Sequence, residues 1–185
     1  MANFILLPDG TTGTNNWTCS TGTDFVDLVD EDDDSTYIYE TALNGEITYT
    51  LANPSVAEVD IDFNKDVTVT PKVHAHYTAP LGTVNMEITM TGTDSDGHAI
   101  VAPIQVCAID NSAYPAYDGP SATNQSLAHG AWDYDGLENI QINLKCAGRP
   151  ARFRYLRVSY VYLHVDYTEA AVATTDNSIF FGANF

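Results

Sequence analysis

Positive charge is what this sequence has least of. Lys and Arg together number 7 against 25 Asp and Glu, a formal net charge of −18. So acidic a surface repels phosphate, which excludes nucleic acid as a natural partner and electrostatic attachment to an anionic membrane. Cysteine is scarce as well. Cys19, Cys107 and Cys146 are an odd number with no CxxC spacing, and the last two lie in apolar runs, so buried free thiols are expected in place of a disulfide framework. No apolar run approaches ~20 residues, so no membrane-spanning helix is expected. The stretch Asn3 to Leu7 is too short for a signal-peptide core and has no basic flank, and the expectation is a chain folded in a reducing cytoplasm. The glycosylation triplets at Asn16 and Asn124 are discounted for that reason. Helical periodicity and internal repeats are missing too. So are a nucleophile motif, a phosphate loop and a metalloprotease helix, and neither catalysis nor a cofactor is expected.

What the chain does have is strand chemistry. Residues 152 to 167 are dominated by β-branched and aromatic side chains, with no Gly or Pro between them. In the second half Val161, Leu163, Val165 and Tyr167 face one way, and Tyr162, His164 and Asp166 the other. In the first half the phase is opposite, with Leu156, Val158 and Tyr160 on the apolar side. A change of phase requires a bulge or bend, expected near Ser159 and Tyr160, in a strand central to its sheet. Further strands are expected at Thr36–Tyr39, Ile47–Leu51, Val56–Phe63, Val67–Tyr77, Thr83–Thr91, Ala99–Ile109 and Leu137–Leu144. Pro71 suggests an edge or bulge, and the hairpin through Gly92–Gly97 would set Met86 and Ile88 beside Ile104 and Val106. The fold class is all-β, an antiparallel two-sheet sandwich of jelly-roll type. One domain, 10–168, is expected between a short apolar N-terminal arm (1–9) and a longer C-terminal arm (169–185).

Trp17 follows a Gly/Thr-rich loop, Asp27 to Ile38 carries an acidic run into a strand, and Arg157 to Tyr167 closes the domain. Together these resemble the small all-β virion structural proteins of tailed bacteriophages. The resemblance implies a non-enzymatic protein of a phage particle, assembled in the host cytoplasm, with other virion proteins and further copies of itself as partners. Capsid decoration stands first and a tail, baseplate or fibre component second. A carbohydrate-binding module for host attachment is the alternative of a different class.

Individual residues bear on these readings. Asp30, Asp32 and Asp34 could offer oxygens to calcium, but the run lacks the alternating spacing and central Gly of a calcium loop and reads better as solvated. Asp94-Ser-Asp-Gly97 begins like such a loop without its closing Glu, and a hairpin turn is preferred. His74 and His76 share one strand face at zinc-site spacing, with a third ligand to be found, His164 or a carboxylate; solvent-facing histidines are the simpler reading. No metal is therefore expected. Tyr114, Tyr117 and Trp132, with Tyr134, could form a platform for a sugar ring, or could pin their loop to the sheet. Arg152, Arg154 and Arg157 cluster in an otherwise acidic chain and could pair with Asp30–Asp34 internally or in a neighbouring copy. Phe180, Phe181 and Phe185 at the end of a polar spacer are expected to dock on an adjacent subunit.

Overall fold

Alternating apolar and polar side chains need two surfaces, one dry and one wet, and two stacked sheets supply them. The computed structural model describes residues 1–27, 29, 35–79, 82–100, 102–110, 113–124, 132–148 and 154–171. In chain order the first strands are β1 (Ala2–Leu6), β2 (Pro8–Thr12), β3 (Thr18–Cys19), β4 (Ile38–Glu40), β5 (Glu46–Leu51) and β6 (Thr68–Tyr77). They are followed by β7 (Val84–Thr91), β8 (Gln105–Ile109), β9 (Ala116–Asp118), β10 (Ala122–Thr123), β11 (Gln141–Cys146) and β12 (Leu156–Tyr167), with a short helix α1 (Tyr134–Glu138) before β11. A seven-stranded sheet runs β10-β6-β12-β4-β3, with β9 also on β6 and β1 also on β12, and a five-stranded sheet runs β2-β5-β11-β7-β8. All pairings are antiparallel. The fold is an all-β, two-sheet antiparallel sandwich.

β12 is the spine of the larger sheet. One of its edges is covered along its length by β6, from Leu156 opposite Tyr77 to Asp166 opposite Thr68. Three segments share the other edge: β4 beside residues 156–158, the Val29 carbonyl accepting from the Val161 N–H, and β1 beside residues 163–167. The ladder shifts register between Val158 and Tyr160, leaving Ser159 as the extra, buried residue of a bulge. This is the kink the change of phase requires. It falls at Ser159, where it was expected, and it sets Tyr160 with Tyr162 on the outer face instead of with Leu156 and Val158 in the core. Leu156, Val158, Val161, Leu163 and Val165 are fully buried, and side chains of this size contribute ~1.5–3 kcal/mol each on burial.

Pro71 stands inside β6 without disturbing it. Its carbonyl accepts from the Gly119 N–H, at the gap between β9 and β10, so its missing N–H falls where the neighbouring strand is interrupted.

Several expectations are corrected. The N-terminal segment is no arm, because β1 and β2 are integral strands of the two sheets. Val56–Phe63 is not a strand: Glu58–Asp60 form a 3-10 turn, Val59 is 79% exposed, and Ile61 makes only an isolated bridge to Glu169. The first residues of Leu137–Leu144 belong to α1, and β11 starts at Gln141. In the β7–β8 hairpin Met86 faces Cys107 and Ile88 faces Gln105, so Ile104 and Val106 point outward at 62% and 49% exposure. A slip of one residue exchanges the two faces of a strand.

The thiols are free, with Cys107 and Cys146 buried and Cys19 half-buried. Cys146 lies opposite Met86 and Met86 opposite Cys107. Two strand spacings, roughly 9–10 Å, therefore separate those two cysteines, beyond disulfide reach. Asn124 is buried too: its carbonyl oxygen accepts from the Val67 N–H and its amide donates toward the Phe63 carbonyl. That amide is a strut of the fold, closed to glycosylation in the folded state.

Candidate functional site

The two outer faces of the sandwich differ in kind. On the five-stranded sheet the face is a polar lattice over β5, β11 and β7, with Asn143 donating to Thr48 and Lys145 set between Glu46 at 3.8 Å and Glu87 at 3.4 Å. On the seven-stranded sheet it is aromatic. The β6–β12 register sets His74 opposite Tyr160, His76 opposite Arg157 and Lys72 opposite Tyr162. Tyr160 and Tyr162 lie side by side, ring centroids 4.7 Å apart and planes 35° from parallel, and His74 meets them edge-on at 5.2 and 6.3 Å. Further along, Tyr114 lies over His76 at 5.2 Å. Tyr39 meets Tyr155 at 5.0 Å and Tyr37 at 6.3 Å. These rings are half-buried, held at their edges and open to solvent on part of their surface.

The strip is a shelf laid out along the ladder of β6 and β12. Three cavities lined by described residues lie elsewhere, one beside the Asp94 turn and α1, one between β2 and the Thr23–Asp27 loop, and one between Ser55–Asp60 and Tyr167. A flat aromatic surface favours an extended ligand over a small enclosed one.

The histidine pair stands on one strand face as expected, but His164 does not converge with it. His164 sits four residues beyond Tyr160, ~13 Å along the strand, beside Asp166 at 3.2 Å. Among the described residues no three of His, Cys, Asp and Glu gather into a metal-binding group. Asp94 is committed to its turn, accepting from the Asp96 and His98 N–H groups and lying 2.9 Å from His98 Nδ1. Burial pushes its carboxyl up, but the His98 backbone bond, its side-chain bond and charge, and the Asp96 bond together leave it below the ordinary carboxylate value. A group held ionised in this way is the opposite of a poised general acid.

Of the residues weighed as a sugar platform, Tyr114 alone reaches the aromatic shelf. Trp132 is 4% exposed and packs against Gly136 of α1, where it cannot stack on a ligand. Tyr117 lies opposite Val73 and packs on the core. Tyr134 donates to the Val56 carbonyl at 2.9 Å and meets Phe63 edge-on, which pins its loop. Arg154 is exposed near the Thr78 carbonyl, and Arg157 stacks on Tyr37. Asp30, Asp32, Asp34, Arg152, Phe180, Phe181 and Phe185 lie outside the described residues.

Sequence reasoning missed Tyr160, Tyr39, Tyr37 and Tyr155 as members of one surface. The alternation of Tyr162, His164 and Asp166 marked the face, and only strand register could assemble the rest.

No family model matches the chain, and no curated protein does. Solved structures similar to it include the CBM22-1 xylan-binding domain of Paenibacillus barcinonensis Xyn10C, at 9% identity and a TM-score of 0.40 over 89% of this chain and 94% of that one. Another is the arabinose-bound MgGH51 α-L-arabinofuranosidase, at 7% identity and 0.38, covering 85% of this chain, which spans 23% of that one. A CBM4 structure aligns at 12% identity and 0.26 over 91% and 85% of the two chains.

Proposed function

We propose that the protein is a non-catalytic binding module that holds a glycan chain across the outer face of its larger sheet. The observation that carries this reading is the Tyr160–Tyr162–His74 cluster, extended by His76 and Tyr114. Rigid aromatic rings with polar tips present an apolar surface to the C–H face of a sugar while their hydroxyls and ring nitrogens address its hydroxyls. The fold does not require such a strip on an outer sheet face, since β5, β11 and β7 of the opposite sheet are covered with Thr, Asn, Glu and Lys. The test is retention in native gels cast with soluble polysaccharides, preceded by a glycan array. Tyr160→Ala and Tyr162→Ala should lose retention with the fold intact, and a wild-type protein that no polysaccharide retards would end the reading.

A second reading is the particle component implied by the resemblance, self-associating on a capsid or tail. The feature that favours it is β8, at the edge of its sheet with Ile104 and Val106 exposed, since edge strands with apolar outer faces invite pairing with another chain. On a phage particle the two readings are compatible, the aromatic face then serving attachment to the host surface.

A further inference from the structure

Among the described residues Arg157 is a cation that rests on aromatic rings and meets no carboxylate. Its guanidinium carbon lies 4.3 Å from the centre of the Tyr37 ring and 5.9 Å from that of Tyr155. Its Nε is buried with no hydrogen-bond partner. Among the described residues no carboxylate comes within ion-pair distance of it, in a chain with 25 Asp and Glu. Strand register places it between His76 and Tyr39, on the same face as the aromatic cluster. Two carboxylates of that face are engaged further along it, Asp118 with Lys72 at 2.6 Å and Asp166 with His164 at 3.2 Å. Stacking on a ring holds a guanidinium in plane without consuming its N–H donors, the presentation that suits bidentate recognition of a carboxylate.

Resting on the glycan reading above, we propose that Arg157 recognises the carboxylate of a uronic acid, in a polysaccharide whose neighbouring sugar lies along Tyr160 and Tyr162. The row of Arg157 and His76 and the row of Tyr160 and His74 are two residues of β6 apart, about 7 Å, so adjacent sugar units can occupy both. The net charge of −18 opposes approach at long range. At physiological ionic strength, with a screening length of ~8 Å, distant carboxylates act only weakly on a contact made at this arginine.

The experiment compares polygalacturonate with its carboxyl-reduced, neutral form in affinity gels, for the wild-type protein, Arg157→Gln and Arg157→Lys, with thermal melts to establish that each is folded. Wild type should bind the acidic polymer at least tenfold more tightly than the neutral one, and added salt should narrow the gap. Arg157→Gln should lose the preference and bind the two polymers alike. Arg157→Lys, with the charge but not the planar fork, should recover only part of it. Equal binding of the two polymers by wild type, which needs no variant to be seen, overturns the uronate assignment and leaves the glycan reading standing. A preference that survives Arg157→Gln in folded protein does the same. Binding of neither polymer, nor of any other glycan, removes both.

Discussion

Tyr160 stands directly across from His74 in the central ladder, their rings 5.2 Å apart and at 88° to one another. The imidazole props the phenol ring, and Tyr162 lies beside both, 4.7 Å from Tyr160 and 6.3 Å from His74. A ring braced in this way keeps its orientation before ligand arrives, so little side-chain entropy remains to be lost on binding.

Removing either tyrosine should therefore weaken glycan binding far more than it weakens the fold. Tyr160→Ala and Tyr162→Ala are each expected to cost about tenfold in affinity, ~1.4 kcal/mol. The thermal midpoint should drop by no more than a few degrees, because both side chains are only half-buried. Affinity gels and melting curves on the same samples check this. A variant that melts much earlier but binds normally would show that the rings serve stability instead.

Gly45 is expected to tolerate no side chain. A Cβ there would land on the Glu40 carboxylate, which is buried with Oε1 accepting from the Thr41 and Ala42 N–H groups. Gly45→Ala should destabilise by about 1–3 kcal/mol, the usual range for overpacking. In a Glu40→Ala background the same change should cost clearly less, since the colliding group is gone. Equal costs in the two backgrounds, measured by urea titration, would rule out the collision as the cause.

The cysteines should differ in reactivity. Burial, and then the charge of Glu40, push the Cys146 thiol up from 9.0 to about 11, with a backbone hydrogen bond from Gly148 acting the other way. Folded Cys146 therefore keeps its proton where the unfolded thiol loses it. Its contribution is intact below pH 9 and is lost as pH rises from there toward about 11. Stability should fall over that window, and Cys146→Ala should flatten the fall. At pH 8 a thiol reagent should modify half-buried Cys19 first and Cys146 only on unfolding, with three thiols titrated in denaturant. Two unreactive sulfurs in denatured, unreduced protein would mean a disulfide.

For the particle reading the informative cut is after residue 171. Thr168 and Ala170 are tied to the body, with the Asp62 N–H donating to the Thr168 carbonyl and the Ala170 N–H to the Asp60 carbonyl. Deleting 172–185 should leave a cooperative melt and abolish incorporation into particles. Normal incorporation of the truncated chain would sink the proposal that Phe180, Phe181 and Phe185 dock on a neighbour.

Legibility followed burial contrast. β5, β6, β7, β11 and the second half of β12 alternate an apolar and a polar residue, and their strands and facing were readable for that reason. β8 carries apolar residues on both parities, so its register was not, and Ile104 and Val106 were placed inward when Cys107 and Ile109 are the buried ones. Val56–Phe63 alternates because acidic residues are common in this chain, yet a single bridge is all the pairing it finds. Trp132 looked like a ligand platform because composition cannot distinguish a ring under a helix from one on a surface. The aromatic shelf itself is assembled from segments as far apart as Tyr37, His74 and Tyr160, and its existence depends on pairings that no local pattern encodes.

The bulge at Ser159 has one more consequence, a matter of parity. Arg157 is an odd-numbered residue and Tyr160 an even-numbered one, and in an unbroken strand they would project to opposite sides of the sheet. One supernumerary residue between them brings cation and rings onto the same surface. The charge and the aromatic strip are thus coupled by a count of residues: a strand of the same length without the bulge would turn one half of β12, its core residues included, to the wrong face.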